Sequence, residues 1–408
     1  MGKTTRRAFL GRAAGAGGLA VGLGLTGVLA EPGPEVRRAV AQTAADPAYG
    51  AWEQLTVDPA VGVVDVFAPS SGALLAATEL NEPPIDRGLW RSDDGGRSWR
   101  PLSLPPGGED SRTTITVDPT DHTVAYARVH GVLYRTTDDA PSWQPLTAPE
   151  LAQAEVRLLP IVSRADPNLL YLITSWSRPL RILRSRDRGD SWEQIVDGDP
   201  PNVKSIEWGT RFLLPHPTDA NRVYLGIGYG GVVPPPDEYR VSTDQGTTWQ
   251  PSADGPTGLS GGWVGGIGAA AGSFWGTRAT YGPANPNLRG VASVNSRPRV
   301  VTLERGTSDG TGWAPVSEIA RTPSSAGTPT VALAADHTQA DRLFLNLGTS
   351  SSTGTTYKAV HVSLDGGQSW RPAGHGGPTA VWQLIVGVDG KTLFARDVQE
   401  RLWRLALT

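Results

Sequence analysis

The chain contains no cysteine. Disulfides and thiolate-held metals are therefore excluded, and stability has to come from packing. It also lacks a marked excess of either charge. Lys and Arg number 37 against 40 Asp and Glu, a formal net charge of −3. That balance argues against general nucleic-acid binding. Histidine is scarce, with six in 408 residues. His122, His216 and His337 fall in one class of turn, away from His130 and His375, so no histidine-based metal or proton-transfer centre is expected. What is abundant is Gly (50), Pro (34) and Trp (14).

One stretch organises the rest: Leu89–Leu102, LWRSDDGGRSWRPL. It reads as strand, tight turn, strand, with the spacing Ser92, Asp94, Gly96, Trp99. Short Ser and Asp side chains accept hydrogen bonds from backbone N–H groups in their own turn. Gly permits the positive φ such turns need. Trp supplies an apolar face to cover the hairpin. The pattern returns as Ser185, Asp187, Gly189, Trp192; as Ser242, Asp244, Gly246, Trp249; and as Ser363, Asp365, Gly367, Trp370. A fifth copy has Thr136, Asp138 and Trp143 with Ala140 in the Gly place. A sixth keeps Thr307, Asp309 and Trp313 but is one residue short. A Ca²⁺ loop would need further ligands and a Glu at its twelfth position, which SDDGGRSWRPL does not supply. The repeated residues are read as structural turns, because a site is made once and these recur in every unit.

These motifs resemble the Asp-box, or BNR, repeat, and the chain after Tyr49 resembles the Asp-box β-propeller proteins. That group includes sialidases, xyloglucan-cleaving glycosidases, the sortilin ectodomain and photosystem II assembly factors. A shared fold hosts unrelated activities, so the resemblance speaks for fold more than for function.

Residues 1–45 read as an export segment and linker, and 46–408 as the propeller. Thr4-Thr5-Arg6-Arg7-Ala8-Phe9-Leu10 resembles a twin-arginine signal, followed by the uncharged apolar run Ala13–Ala30. Ala39-Val40-Ala41 is a small-residue cleavage pattern. Cleavage there leaves 367 residues, about 52 for each of seven units, which fits four short strands and their turns. Seven turn-plus-strand segments give the same count, at 69–78, 118–127, 166–173, 216–226, 269–277, 336–346 and 388–395. The expected fold is all-β: a single seven-bladed β-propeller with Asp-box hairpins. Ala51–Leu55 is expected to complete the last blade beside Leu402–Leu405, closing the ring through its N- and C-terminal strands.

Long, irregular loops fall on the face opposite the Asp-boxes, where function is expected. Trp176, Trp208 and Trp382 are candidate stacking residues there, and Arg112, Arg157 and Arg211 candidate anion contacts, with Arg396 a further one. Sialidases carry an Arg-Ile-Pro motif near the first inner strand, but Val63-Val64-Asp65-Val66-Phe67 stands here instead. For another glycosidase, Glu207 beside Trp208, with Asp110 or Glu155 opposite, is the candidate carboxylate set. The expected function is an exported, extracytoplasmic binding protein for a glycan, peptide or partner protein; the alternative is a glycoside hydrolase. Neither cofactor nor metal is expected. The mature chain is read as a monomer without a stable membrane span.

Overall fold

Alternating apolar and β-branched residues between Gly- and Pro-rich turns produce short antiparallel strands throughout. The computed structural model describes residues 49–407 apart from 58–61, 70–71, 80–86, 109–112, 153–157, 175–180, 198–209, 228–237, 253–267, 271–272, 282–298, 308–312, 323–329, 352–353 and 358. The expected export signal, in residues 1–45, lies outside the described residues.

β1 is Glu53–Leu55. The first sheet holds β2 Gly62–Phe67, β3 Leu74–Glu79, β4 Arg87–Ser92 and β5 Arg100–Leu102. The second holds β6 Thr114–Val117, β7 Ala125–Val129, β8 Val132–Thr136 and β9 Gln144–Pro145. The third holds β10 Ile161–Val162, β11 Leu170–Ile173, β12 Arg181–Ser185 and β13 Glu193–Asp197. The fourth holds β14 Thr210–Pro215, β15 Val223–Ile227, β16 Glu238–Ser242 and β17 Gln250–Ser252. The fifth holds β18 Gly268–Ala270, β19 Ser273–Tyr281, β20 Arg299–Gly306 and β21 Ala314–Thr322. The sixth holds β22 Thr330–Ala335, β23 Leu343–Ser351, β24 Gly354–Tyr357, β25 His361–Ser363 and β26 Arg371–Pro372. The last holds β27 Val381–Val386, β28 Thr392–Asp397 and β29 Leu402–Ala406, and β1 pairs with β29 as its outer strand. The register is Glu53 opposite Arg404 and Leu55 opposite Leu402, so the strand exchange expected at the closure is present.

The expectation of a single seven-bladed propeller of four-stranded units is corrected: six sheets, not seven, are of that kind. Six sheets keep the four-strand plan, and the sheet 330–372 has five, because β23 runs on past β25 and folds back as β24. Six core clusters are seen among the described residues, each bridging two consecutive sheets. One joins Leu75 and Leu89 to Ile115 and Ala127, and another joins Leu55, Phe394 and Leu402 to Val63 and Leu74. The junction between the fourth and fifth sheets borders 253–267, outside the described residues. Burial between blades explains why strands are apolar on both faces: Leu170-Tyr171-Leu172-Ile173 is buried at every position. Fully burying such a side chain contributes roughly 1.5–3 kcal/mol.

A second tie crosses the same junctions. Arg404 on β29 donates to the Gly95 carbonyl of the first Asp-box at 3.0 Å and also pairs with Glu53. Arg91 on β4 meets Asp139 of the second box at 2.9 Å. Arg135 on β8 reaches the Arg188 carbonyl at 3.0 Å and Asp190 at 2.9 Å in the third box. Arg184 on β12 reaches the Gln245 carbonyl at 2.7 Å and the Thr247 hydroxyl at 3.0 Å in the fourth. Each of these third-strand arginines grips the turn of the next blade, so the Asp-box is a latch plate between blades as well as a turn.

Candidate functional site

The two ends of the sheets differ in what their carboxylates can do. At the Asp-box end the aspartates are saturated. Asp94 Oδ1 accepts from the Ser92 hydroxyl at 2.8 Å and from the backbone N–H groups of Arg97 and Ser98, both at 2.9 Å, while Oδ2 accepts from the Ser98 hydroxyl at 2.6 Å. Asp365 repeats the whole set, Asp187 and Asp244 repeat it without the first of the two backbone N–H donors, and Asp138 keeps its hydroxyl partners Thr136 and Ser142. The donors stabilise the ionised form. Desolvation is the largest single influence on Asp244 and raises it, but the bonds from Thr248 and Ser242 together hold it down to about 2, and those from the Ser98 side chain and backbone lower Asp94. A carboxylate so held stays ionised near neutral pH and has no proton to give.

The Gly of each box is fixed by packing and by dihedral. Gly96, Gly189, Gly246 and Gly367 have φ of 90°, 97°, 88° and 87°. The space a β-carbon would need is filled by Leu55, Leu146, Ile195 and Leu303 of the preceding blade. Ala140, at the same place, is held at φ 67° and buried.

The opposite end is where the inner strands begin. Three of them carry a one-residue bulge there. Val63 pairs with Thr78 and Asp65 with Ala77, leaving Val64 over. Thr210 pairs with Ile227 and Phe212 with Gly226, leaving Arg211 over. Val381 pairs with Asp397 and Gln383 with Arg396, leaving Trp382 over. A bulge re-aims the side chain it inserts. Trp382 is 44 % exposed, one of three large apolar side chains in that class among the described residues. Two sequence-selected contacts, Arg211 and Trp382, are thus bulge residues; the Arg211 side chain lies outside the described set. Trp176, Trp208, Arg112, Arg157, Glu207, Asp110 and Glu155 also fall outside it.

Next to Trp382 in the chain, Gln383 ties the last sheet to the first through a polar cluster that alternation along the strands does not reveal. Gln383 Nε2 donates to Asp65 Oδ1 at 2.9 Å and to the Val66 carbonyl at 3.1 Å, and the Val66 N–H donates to Asp65 Oδ1 at 2.9 Å. Asp65 is thus held through one oxygen, while Oδ2 has no hydrogen-bond partner among the described residues. Burial outweighs these bonds and the Arg396 charge, and pushes its pKa up. Arg396, opposite Gln383 on β28, has a shielded Nε with no hydrogen-bond partner among the described residues. Burial pulls its pKa down against the fields of Asp65, Glu400 and Asp397. Glu400, in the turn between β28 and β29 at φ 64°, accepts the Val63 N–H through its carbonyl at 2.8 Å. Its carboxylate fills the space a β-carbon on Gly62 would take. The signal available in the sequence was Asp65 itself, a lone charge in the apolar run Val63–Phe67.

One wall of this end is raised. β19, β21 and β23 each have nine residues, against six in β3 and five in β7.

The profile of the sortilin family, described as Sortilin, neurotensin receptor 3, matches residues 87–225, and that of the BNR/Asp-box repeat matches residues 240–251. No curated protein matches this chain. Among solved structures it is similar to a GH74 xyloglucanase from Xanthomonas campestris, with 18 % identity and a TM-score of 0.56 over 87 % of this chain and 53 % of that one. A GH74 enzyme from Niastella koreensis gives 12 % and 0.53 over 87 % and 53 %. An oligogalacturonate lyase in complex with manganese gives 12 % and 0.54 over 90 % and 96 %. The chain spans about half the length of the two GH74 enzymes. At these identities the likeness shows a shared propeller fold.

Proposed function

We propose that this chain is an exported, extracytoplasmic propeller that binds a glycan across the face opposite its Asp-boxes. The observation that carries the reading is Trp382, a bulge residue 44 % exposed and the chain neighbour of Gln383, which binds Asp65. An open indole next to fixed polar groups is the combination that stacks on a sugar ring and reads its hydroxyls. Two of the proteins similar in fold are named for a carbohydrate, one a xyloglucanase and one an oligogalacturonate lyase, which supports a sugar over a peptide. Arg211, on the same kind of bulge, and the loop residues Trp176, Trp208, Arg112 and Arg157 complete the proposed contact set. The twin-arginine pattern at Arg6-Arg7 supports export. No helix among the described residues is long and apolar enough to cross a membrane.

Calorimetric titration of the mature protein with a xyloglucan oligosaccharide and an oligogalacturonate tests the reading. Saturable binding of one of them, weakened at least tenfold by Trp382→Ala at unchanged melting temperature, is the expected result. Binding unaffected by that substitution, or none to either sugar, sinks it.

A further inference from the structure

Trp382 owes its exposure to a strand register, and that register is held from both sides. Along β27 the order is Val381, Trp382, Gln383, Leu384, Ile385, Val386. Strict alternation would set Trp382 on one face with Leu384 and Val386, which are both core residues. The bulge changes the count. Val381 pairs with Asp397, Gln383 with Arg396 and Leu384 with Ala395, so Val381 joins Leu384 on the core face and Trp382 is left over. Val381 is accordingly buried while Trp382 is 44 % exposed. Without the inserted residue the two would trade places, because a one-residue slip moves a side chain to the other face.

The residues on either side of Trp382 are each gripped by a side-chain amide. The Val381 N–H donates to Asn346 Oδ1 on β23 of the sixth sheet at 3.1 Å, and Asn346 Nδ2 donates to the Thr379 carbonyl at 3.1 Å. Gln383 reaches the other way, to the first sheet. Its Oε1 accepts the Val66 N–H at 3.3 Å and its Nε2 donates to the Val66 carbonyl at 3.1 Å, the pair of bonds that a neighbouring strand would make. Nε2 also donates to Asp65 Oδ1 at 2.9 Å. Two acceptors face Nε2, which fixes the way the amide points. Asp65 directly follows the bulge residue Val64, and Val63 before it donates to the Glu400 carbonyl. One glutamine thus ties the bulge of the last sheet to that of the first.

We propose, resting on the glycan-binding reading above, that Gln383 is the positioning residue of the sugar platform: by clamping the β27 bulge to Asp65 and Val66 it holds the Trp382 indole in the open orientation on which a sugar ring stacks. Gln383 acts through Trp382 and not on the sugar. An indole set before the ligand arrives avoids the cost of ordering a loose side chain, so releasing it weakens affinity while the stacking group is still present.

The test compares Gln383→Ala with the isosteric Gln383→Glu, whose carboxylate has no N–H for Asp65 or for the Val66 carbonyl. Arg404→Ala is the control, because it removes a tie between the same two sheets at the Asp-box end. Each protein is labelled with 5-fluorotryptophan, and the Trp382 signal is identified by its absence from Trp382→Phe. Fluorine NMR reads the position and width of that signal, and calorimetry reads affinity for the xyloglucan oligosaccharide and the oligogalacturonate. Both Gln383 variants are expected to shift or split the Trp382 signal and to bind at least tenfold more weakly. Arg404→Ala is expected to lower the melting temperature while leaving the Trp382 signal in place and affinity within twofold. An unmoved Trp382 signal in both Gln383 variants overturns the proposal, whether or not a sugar binds. So does unchanged affinity in a variant whose signal has moved, and so does a moved signal in Arg404→Ala, which would make the effect one of general stability. If the wild type binds neither sugar, the glycan reading falls and takes the platform with it, and the fluorine signals alone decide whether Gln383 sets the indole.

Discussion

Asp244 and Asp65 are the same residue type in opposite circumstances. Asp244 sits on an exposed turn, yet four donors from Ser242, Thr247 and Thr248 surround it or its backbone, and its charge is secured. Asp65 sits between two sheets, is held by one oxygen, and pays for its burial with a raised pKa. Exposure and reactivity are therefore different quantities. What decides whether a carboxyl can do chemistry here is the number of donors already committed to it. The Asp-boxes attract notice because they recur, and recurrence is what made them turn-formers. The polar cluster is made once.

That contrast can be attacked in three ways, and the largest effect is expected where a buried charge loses its partner. Asp336 is fully buried and paired with Arg342, whose guanidinium also reaches the Gly390 carbonyl of the last sheet. Arg342→Ala should destabilise the fold by about 3–5 kcal/mol, because it strands a carboxylate in a dry site. Urea unfolding measures it, and a loss under 1 kcal/mol means that committed donors do not govern these charges. The next effect concerns the backbone of the boxes. Ala140 is strained at φ 67° where the other full copies have Gly. Ala140→Gly should stabilise by about 1 kcal/mol, the relief of a left-handed alanine, whereas Gly246→Ala should destabilise by more, because Ile195 and Trp249 fill the space. Equal and opposite changes at the two sites would show that dihedral strain acts without the packing term.

The smallest effect is the sign of a pH slope. Asp244 titrates near 2 when folded and near 4 when unfolded. Its contribution is full above pH ~4 and disappears as pH falls towards 2; screening at an exposed turn keeps it below ~1 kcal/mol. Asp65 is raised in the folded state, so its contribution runs the other way. It is absent above the folded pKa, grows as pH falls through that value, and is complete below the unfolded pKa near 4. Relative to Asp65→Asn, the wild type should gain stability on going from pH 7 to 4. Relative to Asp244→Asn, it should lose stability from pH 4 to 2. Parallel slopes for the two variants would erase the distinction between the two aspartates.

Much of the scaffold was legible because its causes are local. Ser92, Asp94, Gly96 and Trp99 name their own turn, and the match of Leu402-Trp403-Arg404 to Leu89-Trp90-Arg91 located the closing strands. The arginine latches were half visible: Arg91, Arg135, Arg184 and Arg404 follow apolar pairs in the third strands, but their targets lie in the next blade. Likeness among the blades was overestimated, because the extension of β23 into β24 depends on Gly354–Tyr357 folding back, which no repeat spacing reveals. The polar cluster was least legible. Asp65 and Gln383 are 318 positions apart and meet only through ring closure, and the bulges at Val64 and Trp382 shift side chains between faces in a way that alternation does not forecast.

The seam sealed by β1 and β29 sets a condition on the order of events in the cell. Gln383 and Glu400 are translated more than 300 residues after Asp65, so a nascent chain lacks the contacts between these residues until its final blade has docked. A sugar resting on Trp382 and the first sheet would bridge the molecule's first blade and its last, and occupancy would then slow the unzipping of the two ends.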